Sequence, residues 1–372
     1  MSSLRMPWTT TGTASMQAES RILNFDYCGN CHGKCRACLL SEEERKRDVP
    51  FLNQKQLGAA VTAAARLLPR SEFLAIGVGR GNTLTLRENS VDDIAFLASR
   101  VRDELTFDRG ILEVSTSLVG RLEDQIERAN EIEARVEETS GLETRFVVVI
   151  NPALSSEGYW RLLCDFFEAM EQRRSPHSEA PGDIAVVNLS ADTLPEPSAF
   201  AHRMAGWHFP VNVAWVGGVD EGVAGWNAID QVGRWFADFY EESVRLGLDC
   251  SLVSRAQNAL VASESGGGLS TLQDMADAVS ESLVFVDHVG RVHRGAFTLL
   301  GDMDPMRFPL GGKEVSVAPM LRNRSCRACP YLAACVHAGG AHLFTANALA
   351  MEGSSPVCMT GLKPVFEKAD LY

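Results

Sequence analysis

The chain has 372 residues, of which 35 are Lys or Arg and 48 are Asp or Glu, giving a formal net charge of −13. Hydrophobic residues make up 45% of the chain, so a sizeable core is expected and wholesale disorder is excluded. The acidic balance argues against a nucleic-acid binder, and no apolar run is long enough for a membrane span. Residues 1–20 lack the apolar segment of a secretory signal, so we expect a flexible leader and a cytoplasmic protein.

From Arg21 onward, short apolar runs alternate with amphipathic stretches. Strands are predicted at 21–27, 73–78, 111–117, 145–151, 183–189 and 212–217. Helical periodicity is found at 54–68, 91–105, 121–138, 159–172 and 231–246. The alternation predicts an α/β fold with a parallel sheet and right-handed crossovers. Six units are too few for a closed eight-fold barrel, which leaves a partial barrel or an open doubly wound sheet.

The strand–helix alternation ends near Leu248. A Gly- and Ser-rich stretch at 262–270 predicts a loop or linker, and 283–300 predicts a hairpin with its turn at 288–290. Residues 324–372 show little periodicity, so we expect a metal site to hold them together. The predicted organisation is a leader at 1–20, a barrel at 21–250, a linker or helical connection at 251–282 and a small extension at 283–372.

Ten cysteines occur in the chain, and eight of them fall into two groups. Because we expect a reducing compartment, clustered thiols favour metal binding or catalysis over disulfides. Cys164 and Cys250 stand apart and are predicted to be small buried side chains. The two groups are Cys28, Cys31, Cys35 and Cys38, and then Cys326, Cys329, Cys335 and Cys358.

The first group directly follows the first predicted strand. Cys31, Cys35 and Cys38 can bind three irons of a [4Fe–4S] cluster, which leaves the fourth iron open to a small molecule. Including Cys28 gives two other interpretations, a structural zinc site or a fully ligated cluster.

The segment CHGKCRAC, followed by about six βα units, resembles the radical S-adenosylmethionine (SAM) superfamily. The resemblance implies a partial (βα)6 TIM-like barrel and a cluster whose open iron binds SAM. It also implies reductive cleavage of SAM to a 5′-deoxyadenosyl radical, with electrons from a flavodoxin- or ferredoxin-type donor. One departure is Ala37, which stands where the family usually has an aromatic residue near the adenine.

Residues at the carboxyl ends of the predicted strands are the candidate SAM contacts, because ligands bind at this end of such barrels. The turn after the second strand, Gly77–Leu84, lies where the family binds the methionine amino group, with Asn82 in place of a glutamate. The predicted contacts are Gly79, Arg80, Gly81, Asn82, Ser115, Ser117, Asn151 and Asn188.

The second cysteine group has the spacing CxxCx5C with one later cysteine. Its four thiolates could bind structural zinc. The spacing also resembles the SPASM-type extension of radical SAM maturases, which implies an outer auxiliary [4Fe–4S] cluster on Cys326, Cys329, Cys335 and Cys358. The inner auxiliary cluster of that extension is expected to be absent, because Gly339 and His293 stand where cysteines would be. Two clusters are therefore predicted in total.

The resemblance implies radical modification of a ribosomal peptide, by cross-linking, thioether formation or oxidation. The alternatives are radical oxidation or rearrangement of a small molecule, and a non-catalytic iron–sulfur or zinc protein. Because the first strand is predicted to begin by residue 21, we expect no N-terminal peptide-recognition domain. A separate leader-binding protein would then present a peptide substrate that has a leader.

Overall fold

The structure is a computed structural model. It describes residues 20–26, 52–79, 82–85, 90–150, 156–173, 182–189, 194–215, 226–248, 250–264, 269–299, 301–303, 315–349 and 358–372. Seven residues with a predicted role lie outside the described residues: Cys28, Cys31, Cys35, Cys38, Arg80, Gly81 and Asn151.

Six parallel strands form the main sheet in the order in which they occur along the chain. They are β1 (Ser20–Phe25), β2 (Ser71–Val78), β3 (Phe107–Thr116), β4 (Glu143–Ile150), β5 (Ile184–Leu189) and β6 (Val211–Trp215). Each pairs in parallel with the next. This sequential parallel order confirms the predicted partial barrel.

Helices connect successive strands in the described part of the chain. They are α1 (Gln54–Ala65), α2 (Ser90–Glu104), α3 (Leu122–Ser140), α4 (Glu157–Glu171) and α5 (Pro197–Ala205), with α6 (Trp226–Leu246) after β6. Local sequence sets their ends: Asn53 caps α1 by accepting from the backbone N–H of Gln56 at 3.0 Å, and the Gln56 side chain caps in return. Helix α5 is not predicted from periodicity, because it spans only nine residues.

The two faces of the sheet differ in chemistry. The outer face packs against the helices, and its side chains are no more than 1% exposed: Leu23, Phe25, Ile76, Val78, Leu112, Val114, Phe146, Val148, Ala185 and Val187. The opposite face, called the inner face below, carries Asn24, Gly77, Glu113, Ser115 and Asn188 at the alternating positions. From the near-continuous apolar runs in the sequence, both faces of the strands are expected to be apolar. In the structure, the inner face is partly polar.

The predicted hairpin extends the barrel sheet. Strand β7 (Leu283–Val286) pairs in parallel with β1, and β8 (Val292–Arg294) pairs antiparallel with β7. The segment predicted as a linker or connection contains two helices, α7 (Ser251–Ser263) and α8 (Leu269–Ser282). Strands β9 (Ala296–Thr298) and β10 (Gly301–Met303) form a separate antiparallel pair.

Short helices make up the described part of the C-terminal extension. They are α9 (Ala318–Arg322), α10 (Arg324–Arg327), α11 (Leu332–His337), α12 (Gly340–Leu349) and α13 (Lys363–Ala369). Helix α13 packs against α6 and α7, and α11 packs against α7 and α8. Because Val336, Leu362, Val365 and Phe366 are fully buried, the extension has more apolar core than its weak periodicity indicates.

His342, in helix α12, makes the stability of the extension dependent on pH. Its Nε2 contacts the Ser280 hydroxyl of α8, and burial lowers its pKa to about 4. The folded protein keeps this imidazole neutral between about pH 4 and 6.5, while the unfolded chain protonates it. We therefore expect stability to fall by up to about 3 kcal/mol as the pH drops through this window. Melting temperatures of wild type and His342→Gln across pH 4–7 test this, and parallel curves would contradict it.

Among the described residues, no helix combines the length and apolarity that crossing a bilayer requires.

Candidate functional site

Four cysteines from the extension surround one cavity. Cys326 lies in α10, Cys329 follows that helix, Cys335 lies in α11 and Cys358 precedes α13. The first is positioned by a helix cap: the Asn323 side chain accepts from the backbone N–H of Ser325 at 3.0 Å and of Cys326 at 3.1 Å. Short helices with fixed ends thus place cysteines that are distant in sequence around one space.

The hydroxyl of Thr360 lies between two of the sulfurs. Its Oγ1 is 3.4 Å from Sγ of Cys335 and 3.5 Å from Sγ of Cys358. The neighbouring Met359 Sδ accepts from Asn323 Nδ2 at 3.4 Å. These contacts connect the Cys358 segment to the helices that carry the other cysteines.

The cavity has a volume of about 200 Å³ and a mostly apolar lining beyond the thiols. Among the described residues, no three or more His, Cys, Asp or Glu side chains converge as closely as one metal ion requires. A zinc ion bound by four thiolates at about 2.3 Å would bring its sulfurs within about 4 Å of one another. Four thiols around one cavity are the donor set of an iron–sulfur cluster or of a zinc ion, and this arrangement is not closed down to a preformed zinc site.

Burial favours the protonated thiol at Cys326, Cys329 and Cys335 when no cation is present. It raises the pKa of Cys326 to about 11, with a smaller contribution from the neighbouring cysteines. It also raises the pKa of Cys329 and, more strongly, that of the buried Cys335. Metal binding requires thiolates, so loading this site must release protons, with the cations compensating the buried negative charge.

The cysteine site is attached directly to the barrel helix α6. A Cβ atom on Gly233 of α6 would lie 2.4 Å from the carbonyl oxygen of Gly361, so the two backbones touch. Gly361 has φ 68°, a conformation that favours glycine. Lys368 of α13 forms an ion pair with Glu241 of α6, which anchors the same helix. The position of α6 therefore determines the position of the segment from Cys358 to Gly361.

We expect Gly233→Ala to loosen the four-cysteine site. The added methyl group would collide with Gly361, at a cost of about 1–3 kcal/mol. Gly58→Ala in α1 is the matched control, since its Cβ would meet nothing closer than 3.7 Å and the change favours the helix by roughly 0.5–1 kcal/mol. Melting temperature and iron content measure both effects, and equal iron content in the two variants would contradict the coupling.

The described candidate SAM contacts lie near the carboxyl ends of β2, β3 and β5. Gly79 follows β2 with φ 85°, and Asn188 and Ser115 lie on the inner face. The Asn82 side chain is buried and spans two strand ends: its Nδ2 donates to the carbonyl of Val119 at 3.0 Å, and its Oδ1 accepts from Thr116. These bonds show Asn82 bracing the loop after β3, a contact that sequence alone does not reveal.

The loop after β3 has two unusual features. Leu118 has φ 51°, which a non-glycine residue rarely adopts. The Oγ of Ser117 is buried, with no hydrogen-bond partner among the described residues. Strain and an unsatisfied polar atom are typical of ligand-binding loops, so both features agree with a ligand site at this end of the sheet.

Sequence reasoning missed two polar side-chain pairs on the inner face. Arg145 donates to Glu113, and His293 Nε2 lies 3.1 Å from Asp287 Oδ2. The alternation of side chains along a strand could have indicated the position of Glu113. Glu113 lies two residues before Ser115 in β3, so the two side chains lie on the same, inner face.

The structure describes both positions at which the resemblance expected an inner-cluster cysteine. Gly339 follows α11 with φ 84°, where any residue with a Cβ is strained. His293 occupies the hairpin position where the resemblance expected a cysteine. Cys250, predicted to be a small buried side chain, is 3% exposed, while Cys164 is half-buried.

No family model matches the sequence, and no curated protein matches it. Among solved structures, anSMEcpe with bound AdoMet and Cp18Cys peptide has a TM-score of 0.54 and 10% identity, covering 94% of this chain and 96% of that chain. Histidine-tagged anSMEcpe with bound AdoMet gives a TM-score of 0.55 and 10% identity, covering 95% and 97%. Native anSMEcpe with bound AdoMet gives 0.55 and 11% identity, covering 94% and 97%. The likeness spans nearly the whole of both chains, and it shows that this chain shares the fold of anSMEcpe.

Proposed function

We propose that this protein is a radical SAM enzyme that modifies a peptide. The observation that supports this most is the joint arrangement of a radical SAM barrel fold and four extension cysteines around one cavity. Cys31, Cys35 and Cys38 would hold the [4Fe–4S] cluster that binds SAM. When both are bound, the cluster and SAM would supply a 5′-deoxyadenosyl radical able to abstract a hydrogen atom.

The residues of the chain bind and orient the reactants. The strand ends at Gly79, Ser115, Ser117 and Asn188 would contact SAM, together with Arg80, Gly81 and Asn151. Asn82 would contribute mainly by holding the loop after β3 against the turn after β2, as its hydrogen bonds indicate. The inner face would receive the substrate, with helices covering the outer face.

The four extension cysteines would hold an auxiliary [4Fe–4S] cluster. Their thiols fit such a group through their donor chemistry and their arrangement around one cavity. Four protein thiolates leave no open iron, so this site would serve electron transfer or structural bracing rather than substrate binding.

A peptide substrate is favoured by the comparison, since the similar protein anSMEcpe is seen with a bound peptide. We propose the same substrate class here, with an external flavodoxin- or ferredoxin-type electron donor and a separate protein to present any leader.

The substrate class can be tested by following deuterium from a labelled substrate into 5′-deoxyadenosine. Reduced protein is incubated with SAM and either the peptide fraction or the small-molecule fraction of an extract from cells grown in deuterated medium. We expect deuterium in 5′-deoxyadenosine with the peptide fraction. Deuterium only with the small-molecule fraction would contradict a peptide substrate, and no 5′-deoxyadenosine at all would contradict radical SAM chemistry.

A further inference from the structure

A carboxylate–imidazole pair lies at the carboxyl end of β7. The Asp287 side chain is 4% exposed and that of His293 is 27% exposed. Oδ1 of Asp287 accepts from the backbone N–H groups of Val289 at 3.0 Å and Arg291 at 2.8 Å, while Oδ2 faces His293 Nε2 at 3.1 Å. The two backbone donors fix the orientation of the Asp287 carboxyl group. The carboxylate in turn orients the imidazole with Nε2 as donor and Nδ1 as acceptor.

The sheet register places His293 on the inner face. Phe285 of β7 pairs with both Asn24 of β1 and His293 of β8. Asn24 pairs with Gly77, which pairs with Glu113. Cross-strand partners point to the same side of a sheet, so His293 shares the face that holds the candidate SAM contacts.

A second pair adjoins the first. Asp26 follows β1, its side chain is 4% exposed, and its Oδ2 lies 3.9 Å from Nδ1 of His288, which is 25% exposed. The backbone N–H of Asp26 donates to the Val286 carbonyl at 2.8 Å, which aligns the two strand ends. Two buried carboxylates therefore stand beside two half-buried imidazoles, an arrangement suited to proton transfer.

We propose that His293 is the proton acceptor of the substrate site, with Asp287 as its positioning residue. This rests on the proposed function and specifies its substrate, which must carry an O–H, S–H or N–H group near the reacting carbon. In the proton transfer, the O–H, S–H or N–H bond of the substrate breaks and an N–H bond forms at Nδ1 of His293. The electron pair stays on the heteroatom, and the Asp287 carboxylate balances the imidazolium charge.

Kinetics of three variants test the role. We expect His293→Gln to lower product formation by about 100-fold or more, with little change in KM and with 5′-deoxyadenosine still formed. It should also remove the limb of the pH–rate profile that reports a histidine. Asp287→Asn should show a smaller loss, since an amide can still accept from the two backbone N–H groups. His202→Gln is the matched control, an exposed histidine of α5 that contacts the Ser198 carbonyl.

Nitrogen NMR of histidine-labelled protein gives a readout independent of turnover. We expect His293 to be protonated at Nε2 in wild type and to lose this preference in Asp287→Asn. A wild type without 5′-deoxyadenosine formation would contradict the proposed function and the proton-acceptor role with it. A wild type that forms it, with His293→Gln making product at the normal rate, would overturn the proton-acceptor role alone. An Nδ1-protonated His293 would also overturn that role.

Discussion

Replacing Cys31, Cys35 and Cys38 together with Ala should abolish SAM cleavage. These thiolates are the predicted ligands of the cluster that leaves one iron open to SAM, so their joint removal should remove the SAM-binding iron. We expect 5′-deoxyadenosine to fall below detection while about four irons per chain remain at the extension site. Chromatography of the reaction products and iron determination on the same sample measure both quantities.

Cys28→Ala is the matched control for this prediction. Cys28 belongs to the same cysteine-rich segment but is assigned outside the ligand set, so its removal should leave SAM cleavage largely intact. Loss of the cluster in Cys28→Ala would show that the ligand set is wrongly assigned.

Replacing Cys326 and Cys329 with Ala should separate SAM cleavage from product formation. Abstraction of a hydrogen atom during a substrate oxidation leaves one electron to be removed, and the four-cysteine site is the second redox centre that we propose. We expect 5′-deoxyadenosine formation to continue, product to drop by roughly tenfold or more, and iron to fall to about four per chain.

Folding must be measured on the same double variant. Leu362, Val365 and Phe366 bury apolar surface regardless of the cluster, so we expect the extension to stay folded with reduced stability. Circular dichroism and limited proteolysis report this, with Cys164→Ala in α4 as the control for loss of a half-buried thiol. A folded double variant with the normal product rate would show that the site is not an obligatory electron acceptor and would favour a redox-neutral reaction.

Local sequence predicts most of the barrel, because its strands are short apolar runs between amphipathic helices. Each of β1 to β6 overlaps a predicted strand. The hairpin is also predicted, from its Gly290-containing turn. The position of the hairpin beside β1 is not predicted from the sequence. Leu283–Val286 pairs in parallel with Ile22–Phe25, and a pairing between segments about 260 residues apart leaves no local sequence pattern.

The candidate sites were predictable to different degrees. Cysteine spacing identifies the four extension thiols, which the structure brings around one cavity. The Asp287–His293 pair depends on turn geometry and strand register, which are three-dimensional properties. Asn82 was predicted as a ligand contact from its place in the turn after β2, but only the structure shows its bonds to Thr116 and Val119.

The metal content of the anaerobically reconstituted protein tests the central claim most directly. Two [4Fe–4S] clusters predict about eight irons and eight sulfides per chain, with a broad brown absorbance that bleaches on reduction. Stoichiometric zinc without iron, in protein that forms no 5′-deoxyadenosine from SAM, would contradict the account and favour a non-catalytic metal-binding protein.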